Sequence, residues 1–257
     1  MAAQAKALGE IQWSQPATKG DKPSPRSGHT ITVVGDKAVV FGGCGVDSNN
    51  EPLISAGSAA THSLALLCRA VDEACGIVQA SASVLHASRP QELEHVLPVG
   101  PGNEKSSDWR SGRGNGDDVI PCFSAAATAV GTLLPALKGR VHSTGWRVPA
   151  PGGVSCVDLT VELERGVPLA ELKRQLREAA RSSALAGRLG YRDDAVGGGD
   201  FADDGRSCII DGASCLAVNE SFVKLVGWYQ NEWPYAKRVV ELLLHLQAVD
   251  HGVHFEA

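Results

Sequence analysis

The sequence lacks the features that mark several large classes of protein. No apolar run approaches the roughly 20 residues that a membrane-spanning helix needs. Basic residues are not in excess, since 24 Lys and Arg stand against 29 Asp and Glu and give a net charge of −5. Such a chain has no electrostatic footprint for a nucleic-acid backbone or an anionic membrane surface. We therefore expect neither nucleic acid nor a membrane as a partner.

Its seven cysteines are widely spread and contain no C-x-x-C pair. An odd number at such spacing indicates neither a disulfide framework nor a zinc site. Residues 1–13 carry a single Lys and lack the apolar stretch of a secretory signal. Both observations predict a cytoplasmic protein with reduced thiols and no bound metal.

The composition is that of a globular protein, with 43% hydrophobic and 21% charged residues in a chain of 257. It changes near residue 50: Ser, Gly, Pro, Asn and Asp are abundant at 14–30 and 42–60, whereas apolar periodicity begins at Leu64. We expect three regions, 1–52, 53–248 and a tail at 249–257.

The first region contains two β-rich runs, 31–34 and 38–41, around a turn with Gly35, which predicts a hairpin. Residues 12–44 resemble the first part of a kelch repeat. Kelch units stack as propeller blades, and no second copy follows. The region is interpreted as a partial repeat, or as an isolated resemblance without evolutionary content.

The second region predicts an α+β fold. Strict alternation at 157–164 indicates a half-buried strand, and 168–181 reads as an amphipathic helix that begins at Pro168. Further helices are predicted at 64–74, 124–137 and 235–249, and further strands at 208–210, 216–218 and 222–229. Strand runs follow strand runs without βαβ alternation, which favours a mixed, largely antiparallel sheet with helices on one face.

Residues 53–248 carry a series of short motifs at 108–114, 119–121, 129–131, 135–137, 147–149, 157–160 and 228–233. Taken in this order, they resemble the C-terminal catalytic domain of phosphorylating glyceraldehyde-3-phosphate dehydrogenase. Each is weak alone, but their number and order argue against coincidence. The resemblance implies an oxidoreductase of glycolysis that converts an aldehyde, NAD and phosphate into an acyl phosphate and NADH.

In that family a cysteine thiolate attacks the aldehyde and a neighbouring histidine accepts the proton. His86 matches the histidine base. The nucleophile run of the family, Ser-Cys-Thr-Thr-Asn, aligns with residues 58–62, and Ala59 stands at the cysteine position. An alanine methyl neither ionises nor forms a thioester. A histidine held only by packing or solvent is the alternative for His86.

The resemblance implies two anion sites, for the substrate phosphate and for inorganic phosphate. The matching positions are Ser58, Ala60, Ser124, Ala125 and Arg147. Ser124 stands where the family has a threonine, and we place it as the N-cap of a helix, whose amino end favours anions. A surface ion pair is the alternative for Arg147.

NAD is the cofactor implied by the resemblance, and Asn231 matches the residue that meets the nicotinamide carboxamide. The dinucleotide-binding half of the family precedes the nucleophile run, whereas 58 residues precede Ala59 here. The Gly43–Gly45 run lacks the third glycine and the helix of a phosphate loop. We therefore expect NAD binding to be weak and the chain to be inactive as it stands.

Three hypotheses follow from these observations. The chain is a relative of the dehydrogenase with the family activity as its nominal function, or a non-catalytic pseudoenzyme or interaction module from a kelch and dehydrogenase fusion, or an incomplete gene product. A sugar phosphate or inorganic phosphate is the expected ligand, and the resemblance implies a homo-oligomer.

Overall fold

The computed structural model describes residues 27–34, 37–44, 55–88, 118–150 and 152–250. The chain divides into two compact units, Met1–Ile54 and Ser55–Ala257. In the first unit, β1 (Ser27–Val34) pairs antiparallel with β2 (Lys37–Cys44). The predicted hairpin is present with longer strands. One hairpin does not by itself identify a kelch blade, so that resemblance stays a prediction.

The second unit contains four helices and eight strands among its described residues. In chain order they are α1 (Ala59–Cys75), β3 (Ile77–Ser88), β4 (Ile120–Cys122), α2 (Ala126–Leu133), β5 (Val141–Pro149), β6 (Val154–Leu163), α3 (Leu169–Ala179), β7 (Leu189–Arg192), β8 (Cys208–Asp211), β9 (Leu216–Asn219), β10 (Phe222–Gln230) and α4 (Trp233–Asp250). Short 3-10 turns lie at Pro135–Leu137 and Gly198–Phe201. In the described residues no helix has the length and apolar character needed to cross a membrane.

The strands of this unit form one mixed sheet in the order β4-β5-β3-β6-β10-β8-β7, with β9 added beside β10. The pairs β3 with β5 and β7 with β8 are parallel, and all other pairs are antiparallel. The predicted fold class, a mixed and largely antiparallel sheet with helices, is confirmed.

The core lies between one face of the sheet and the helices α1, α2 and α3. On β6 the alternating residues Val157, Leu159, Val161 and Leu163 are buried, as the sequence pattern predicts. They pack with fully buried residues of the helices, Leu64, Leu67, Leu172 and Leu176 among them. A small second cluster of Val154, Phe201 and Ile209 covers part of the opposite face.

Local chemistry explains where α1 begins. The prediction starts the helix at Leu64, whereas the observed helix starts at Ala59. Ser58 is the N-cap, and its Oγ accepts a hydrogen bond from the Thr61 amide at 3.1 Å. A serine cap satisfies one of the amides that a helix leaves free at its amino end.

The predicted helix at 124–137 is wrong as a continuous element. The structure has α2 at Ala126–Leu133 and then a separate 3-10 turn that starts at Pro135. A residue before proline avoids the helical region, and Leu134 has φ −123° and ψ 81°. The N-cap is Ala125, which corrects the placement of Ser124 at that position.

Candidate functional site

His86 and Arg147 lie side by side near the carboxyl ends of the parallel strands β3 and β5. The register pairs their Cα positions directly. Val84 on β3 and Val141 on β5, each an even number of residues earlier on its strand, belong to the core that the helices cover. Because side chains alternate along a strand, His86 and Arg147 point to that same face. Both residues are half-buried.

The environment of His86 favours the neutral imidazole. Burial lowers the pKa of His86, and the positive charge of Arg147 lowers it further. A neutral imidazole at physiological pH can accept a proton. Arg147 forms no ion pair with a carboxylate among the described residues.

The amino end of α2 lies over β5, on the same face as Arg147. Ser143 of β5 accepts a hydrogen bond from the Ala127 amide at 3.2 Å and donates one to the Ser124 carbonyl at 3.3 Å. The Oγ of Ser124 accepts from the Ala126 amide at 3.4 Å. These bonds hold Ser124 and the adjoining Ala125 against Ser143 of β5, the strand that also carries Arg147.

The remaining predicted phosphate positions lie at the amino end of α1. Ser58 caps this helix, and its hydroxyl also bonds the hydroxyl of Thr61 at 2.9 Å. Ala59 is half-buried and Ala60 is buried. In the described part of the chain, no hydrogen bond joins Ser58 to His86 or Arg147. Ala59, at the position that the resemblance gives to the nucleophile, presents a methyl group at the capped start of α1.

Three of the described thiols are poorly suited to act as nucleophiles. Cys68 and Cys208 are fully buried, and burial raises the pKa of each to about 12. Burial raises the pKa of Cys156 likewise to about 12. A thiol with such a pKa is protonated at neutral pH and is a poor nucleophile.

No group of three His, Cys, Asp or Glu side chains in the described ranges is arranged to hold a metal ion.

Asn231 is tied to the strand of His86 through Ser155. The Ser155 hydroxyl donates to Oδ1 of Asn231 at 3.2 Å and accepts from the Ala87 amide at 3.0 Å. Ser155 is 1% exposed, and its neighbour Cys156 pairs with Leu85 across the sheet. The sequence interpretation missed Ser155. The available signal was its place two residues before the alternating strand residues, on their buried face.

The sequence interpretation assigns no role to His62, which occupies the last position of the run at 58–62. Its Nε2 bonds the Ala56 carbonyl oxygen at 2.6 Å, and its ring stacks on Tyr235 with centroids 5.7 Å apart. Burial lowers the pKa of His62, and the positive charge of Arg238 lowers it further. The hydrogen bond to the Ala56 carbonyl acts in the opposite direction and raises this pKa. His62 thereby joins the start of α1 to α4.

The family model described as "Glyceraldehyde 3-phosphate dehydrogenase, C-terminal domain" matches residues 58–231. The chain is 40% identical over 211 residues to "Glyceraldehyde-3-phosphate dehydrogenase 2" of Mucor circinelloides f. lusitanicus. The aligned segment covers 80% of this chain and 60% of that relative. It is 41% identical over 196 residues to the cytosolic glyceraldehyde-3-phosphate dehydrogenase of Pinus sylvestris, with 76% and 55% covered. With "Glyceraldehyde-3-phosphate dehydrogenase 1" of Caenorhabditis elegans the identity is 37% over 197 residues, with 77% and 55% covered.

The chain therefore spans a little more than half the length of these curated relatives. The matched segment runs from the cap of α1 to Asn231 and includes every strand of the large sheet. With this coverage and identity, the chain belongs to the family of the glyceraldehyde-3-phosphate dehydrogenase C-terminal domain.

Proposed function

We propose that this chain binds a sugar phosphate, or inorganic phosphate, beside Arg147 and does not carry out the covalent step of its family. The observation that supports the proposal most directly is the pairing of Arg147 with the neutral His86 on one face of the sheet. The amino end of α2 adjoins the same strand. A cationic side chain and a helix amino end together favour an anion.

The chemistry of Arg147 suits phosphate. A guanidinium presents several donors in a planar fork that matches two phosphate oxygens. Ser124 is held by Ser143, four residues before Arg147 on β5, and would supply a hydroxyl from that side. His86 would hold or accept a proton according to the charge of the ligand. The ligand would thus be held by one full charge and by neutral hydrogen-bonding groups.

Ala59 argues against turnover of the family kind. Loss of a covalent nucleophile typically reduces turnover by a factor on the order of 10⁴ to 10⁶. The buried thiols with raised pKa, such as Cys68 and Cys208, do not replace it. The proposal is therefore a phosphate-binding domain that retains the base position without the nucleophile.

NAD is the cofactor of the family, and Asn231 is the described residue that matches a position for it. Its Oδ1 is engaged by Ser155, which leaves its Nδ2 amide to meet the nicotinamide carboxamide. Bound there, NAD would supply a hydride acceptor. Ser155 would fix the orientation of the Asn231 side chain, and no hydride step is proposed in the absence of a thiol.

Dehydrogenase activity is the second candidate, and the retention of His86, Arg147 and Asn231 favours it. The relative from Pinus sylvestris is named as cytosolic, which supports a cytoplasmic location for this chain as well. Self-association into a homo-oligomer is proposed on the family resemblance.

Calorimetric titration of the intact chain with glyceraldehyde 3-phosphate and with inorganic phosphate tests the proposal. We expect the affinity to fall at least tenfold in Arg147→Met. Arg192→Met is the control and should leave the affinity unchanged, because Arg192 is an exposed residue of β7 that pairs with Asp194. Equal affinity of Arg147→Met and the unmodified chain would remove the site. Formation of NADH from aldehyde, phosphate and NAD would establish the second candidate instead.

A further inference from the structure

A separate cleft of about 270 Å³ lies between α1, the carboxyl end of α2 and α4. Its apolar wall includes Leu66 of α1 with Leu133 and Leu134 at the end of α2. Its polar wall includes Arg188 and Arg238. We name it the α1–α4 cleft. None of the positions that the family resemblance assigns to phosphate or NAD lines it.

The cleft carries more positive than negative charge. Nε of Arg188 lies 3.2 Å from one carboxylate oxygen of Glu241, and Arg238 donates to the other oxygen of the same Glu241. Two guanidinium groups thus share one carboxylate. Among the described residues one positive charge at this place has no counterpart, and it lies beside an apolar wall.

Several polar atoms of the lining residues are buried without a partner. The side chain of Arg238 is 12% exposed, and its Nε and Nη1 atoms find no hydrogen-bond acceptor in the described part of the chain. Ser207 is 2% exposed, and its Oγ is also without a partner, as is Nδ1 of His62. Buried donors are normally satisfied by protein, water or ligand. The Arg238 and Ser207 donors lack the acceptor that a bound anion would bring. His62 is different, because its Nε2 donates to the Ala56 carbonyl oxygen and its Nδ1 is therefore an acceptor in the neutral ring.

The apolar wall shows what the rest of such an anion should be. Leu133 is 57% exposed at the border of the cleft. Covering it removes apolar surface from water, which favours a ligand with a hydrocarbon part. Ligand pockets commonly combine such a wall with a few polar groups that fix the orientation.

We propose that the α1–α4 cleft binds a small monocarboxylate with a short hydrocarbon tail. Its carboxylate accepts hydrogen bonds from Arg238 and from the Ser207 hydroxyl, and it balances the charge that Glu241 leaves uncompensated. Its tail lies on Leu66, Leu133 and Leu134. The site is independent of Arg147, so phosphate binding and carboxylate binding can succeed or fail separately.

Calorimetric titration of the intact chain with three probes tests both halves of the proposal. Hexanoate has charge and tail, acetate has the charge alone, and hexan-1-ol has the tail alone. We expect hexanoate to bind at least tenfold more tightly than either of the others. Equal affinity of hexanoate and hexan-1-ol would overturn the role of the charge, and equal affinity of hexanoate and acetate would overturn the role of the tail.

Two variants locate the binding. Arg238→Met keeps the apolar stem and should weaken hexanoate binding at least tenfold. Leu133→Ser changes an exposed side chain, so the fold is retained, and it should weaken hexanoate binding without changing acetate binding. Arg174→Met, on the exposed side of α3 with Glu171 and Glu178, is the matched control and should leave hexanoate binding unchanged.

The variants also decide against the proposal if it is wrong. If Arg238→Met does not fold, Leu133→Ser alone decides, because unchanged hexanoate affinity in that variant places the ligand elsewhere. Arg147→Met should bind hexanoate normally. A loss in Arg147→Met would assign the carboxylate to the phosphate site and overturn the separate cleft.

Discussion

Arg147 and His86 are register partners on adjacent parallel strands, and the charge of Arg147 adds to burial in lowering the pKa of the His86 imidazole. The pair couples a fixed cation to a group whose protonation responds to nearby charge. An anion bound beside Arg147 would reverse the electrostatic effect on His86. The protonation of His86 is therefore a reporter of ligand binding.

Phosphate should raise the pKa of His86. A bound anion stabilises the imidazolium and offsets the Arg147 charge. An NMR titration of the histidine ring protons, with and without inorganic phosphate, measures the shift. His142 lies exposed on β5, the strand of Arg147, but on the opposite face of the sheet. Its resonances should not respond to phosphate.

Arg147→Met should raise the pKa of His86 without ligand, because the repelling charge is gone, and should abolish the response to phosphate. A His86 pKa that is the same in this variant and in the unmodified chain contradicts the coupling.

The free energy of unfolding should fall as the pH is lowered from 7.5 to 5. In the folded chain burial lowers the pKa of His86 and His62, whereas in the unfolded chain both titrate near 6.5. The unfolded state then binds more protons over this range, so acid favours unfolding. Urea unfolding at several pH values measures the effect.

His86→Asn removes one of the two groups and should flatten the dependence of stability on pH. His142→Asn, at an exposed position, is the control. An unchanged slope in His86→Asn would show that the imidazole is not desolvated.

Ser155→Ala should destabilise the domain by about 1–3 kcal/mol, the usual cost of leaving buried polar groups unpaired. The substitution leaves the Ala87 amide and Oδ1 of Asn231 without their hydrogen-bond partner. Urea unfolding compares it with Ser81→Ala, an exposed serine on β3. Equal stability of the two variants would argue that the Ser155 contacts contribute nothing.

Ala59→Cys should create a thiol that iodoacetamide labels faster than Cys68. The introduced thiol stands at the amino end of α1, where the helix dipole lowers a thiol pKa, whereas Cys68 is fully buried with its pKa raised to about 12. Labelling is followed by mass spectrometry of the peptides.

Adding His86→Asn to Ala59→Cys tests whether the two positions face each other. We expect slower labelling in the double variant, because the base that helps to deprotonate the thiol is lost. Labelling of both variants at the rate of Cys68 would mean that position 59 is closed to solvent.

The sequence predicts best where the signal is local and periodic. The alternation at 157–163 identifies β6, and Leu172 and Leu176 at helical spacing identify the buried face of α3. The strands β3, β4, β5 and β7 are not predicted. β3 contains the small residues Ala80, Ala82 and Ala87, which carry little strand preference.

Family motifs identify the candidate site residues, but not the contacts that hold those residues in place. The resemblance predicts His86 as the base, Arg147 as a ligand of the substrate phosphate and Asn231 as a contact of the nicotinamide, and it predicts that Ala59 stands in place of the nucleophile. They say nothing of Ser155 or Ser143, whose roles depend on contacts with strands and helices far away in the chain. The proposed boundaries at 52 and 248 and the kelch resemblance stay predictions.

By itself the sequence indicated the family and the α+β class, because each is written in residue identity or in periodicity within one segment. Only the tertiary structure decided that Arg147 lies beside His86, since the register of two parallel strands depends on the whole sheet. It also decided that Arg188 and Arg238 share one carboxylate, that of Glu241, and that both arginines line a cleft with Leu133. Those relationships join residues from different elements, and packing of the complete domain is what brings such residues together.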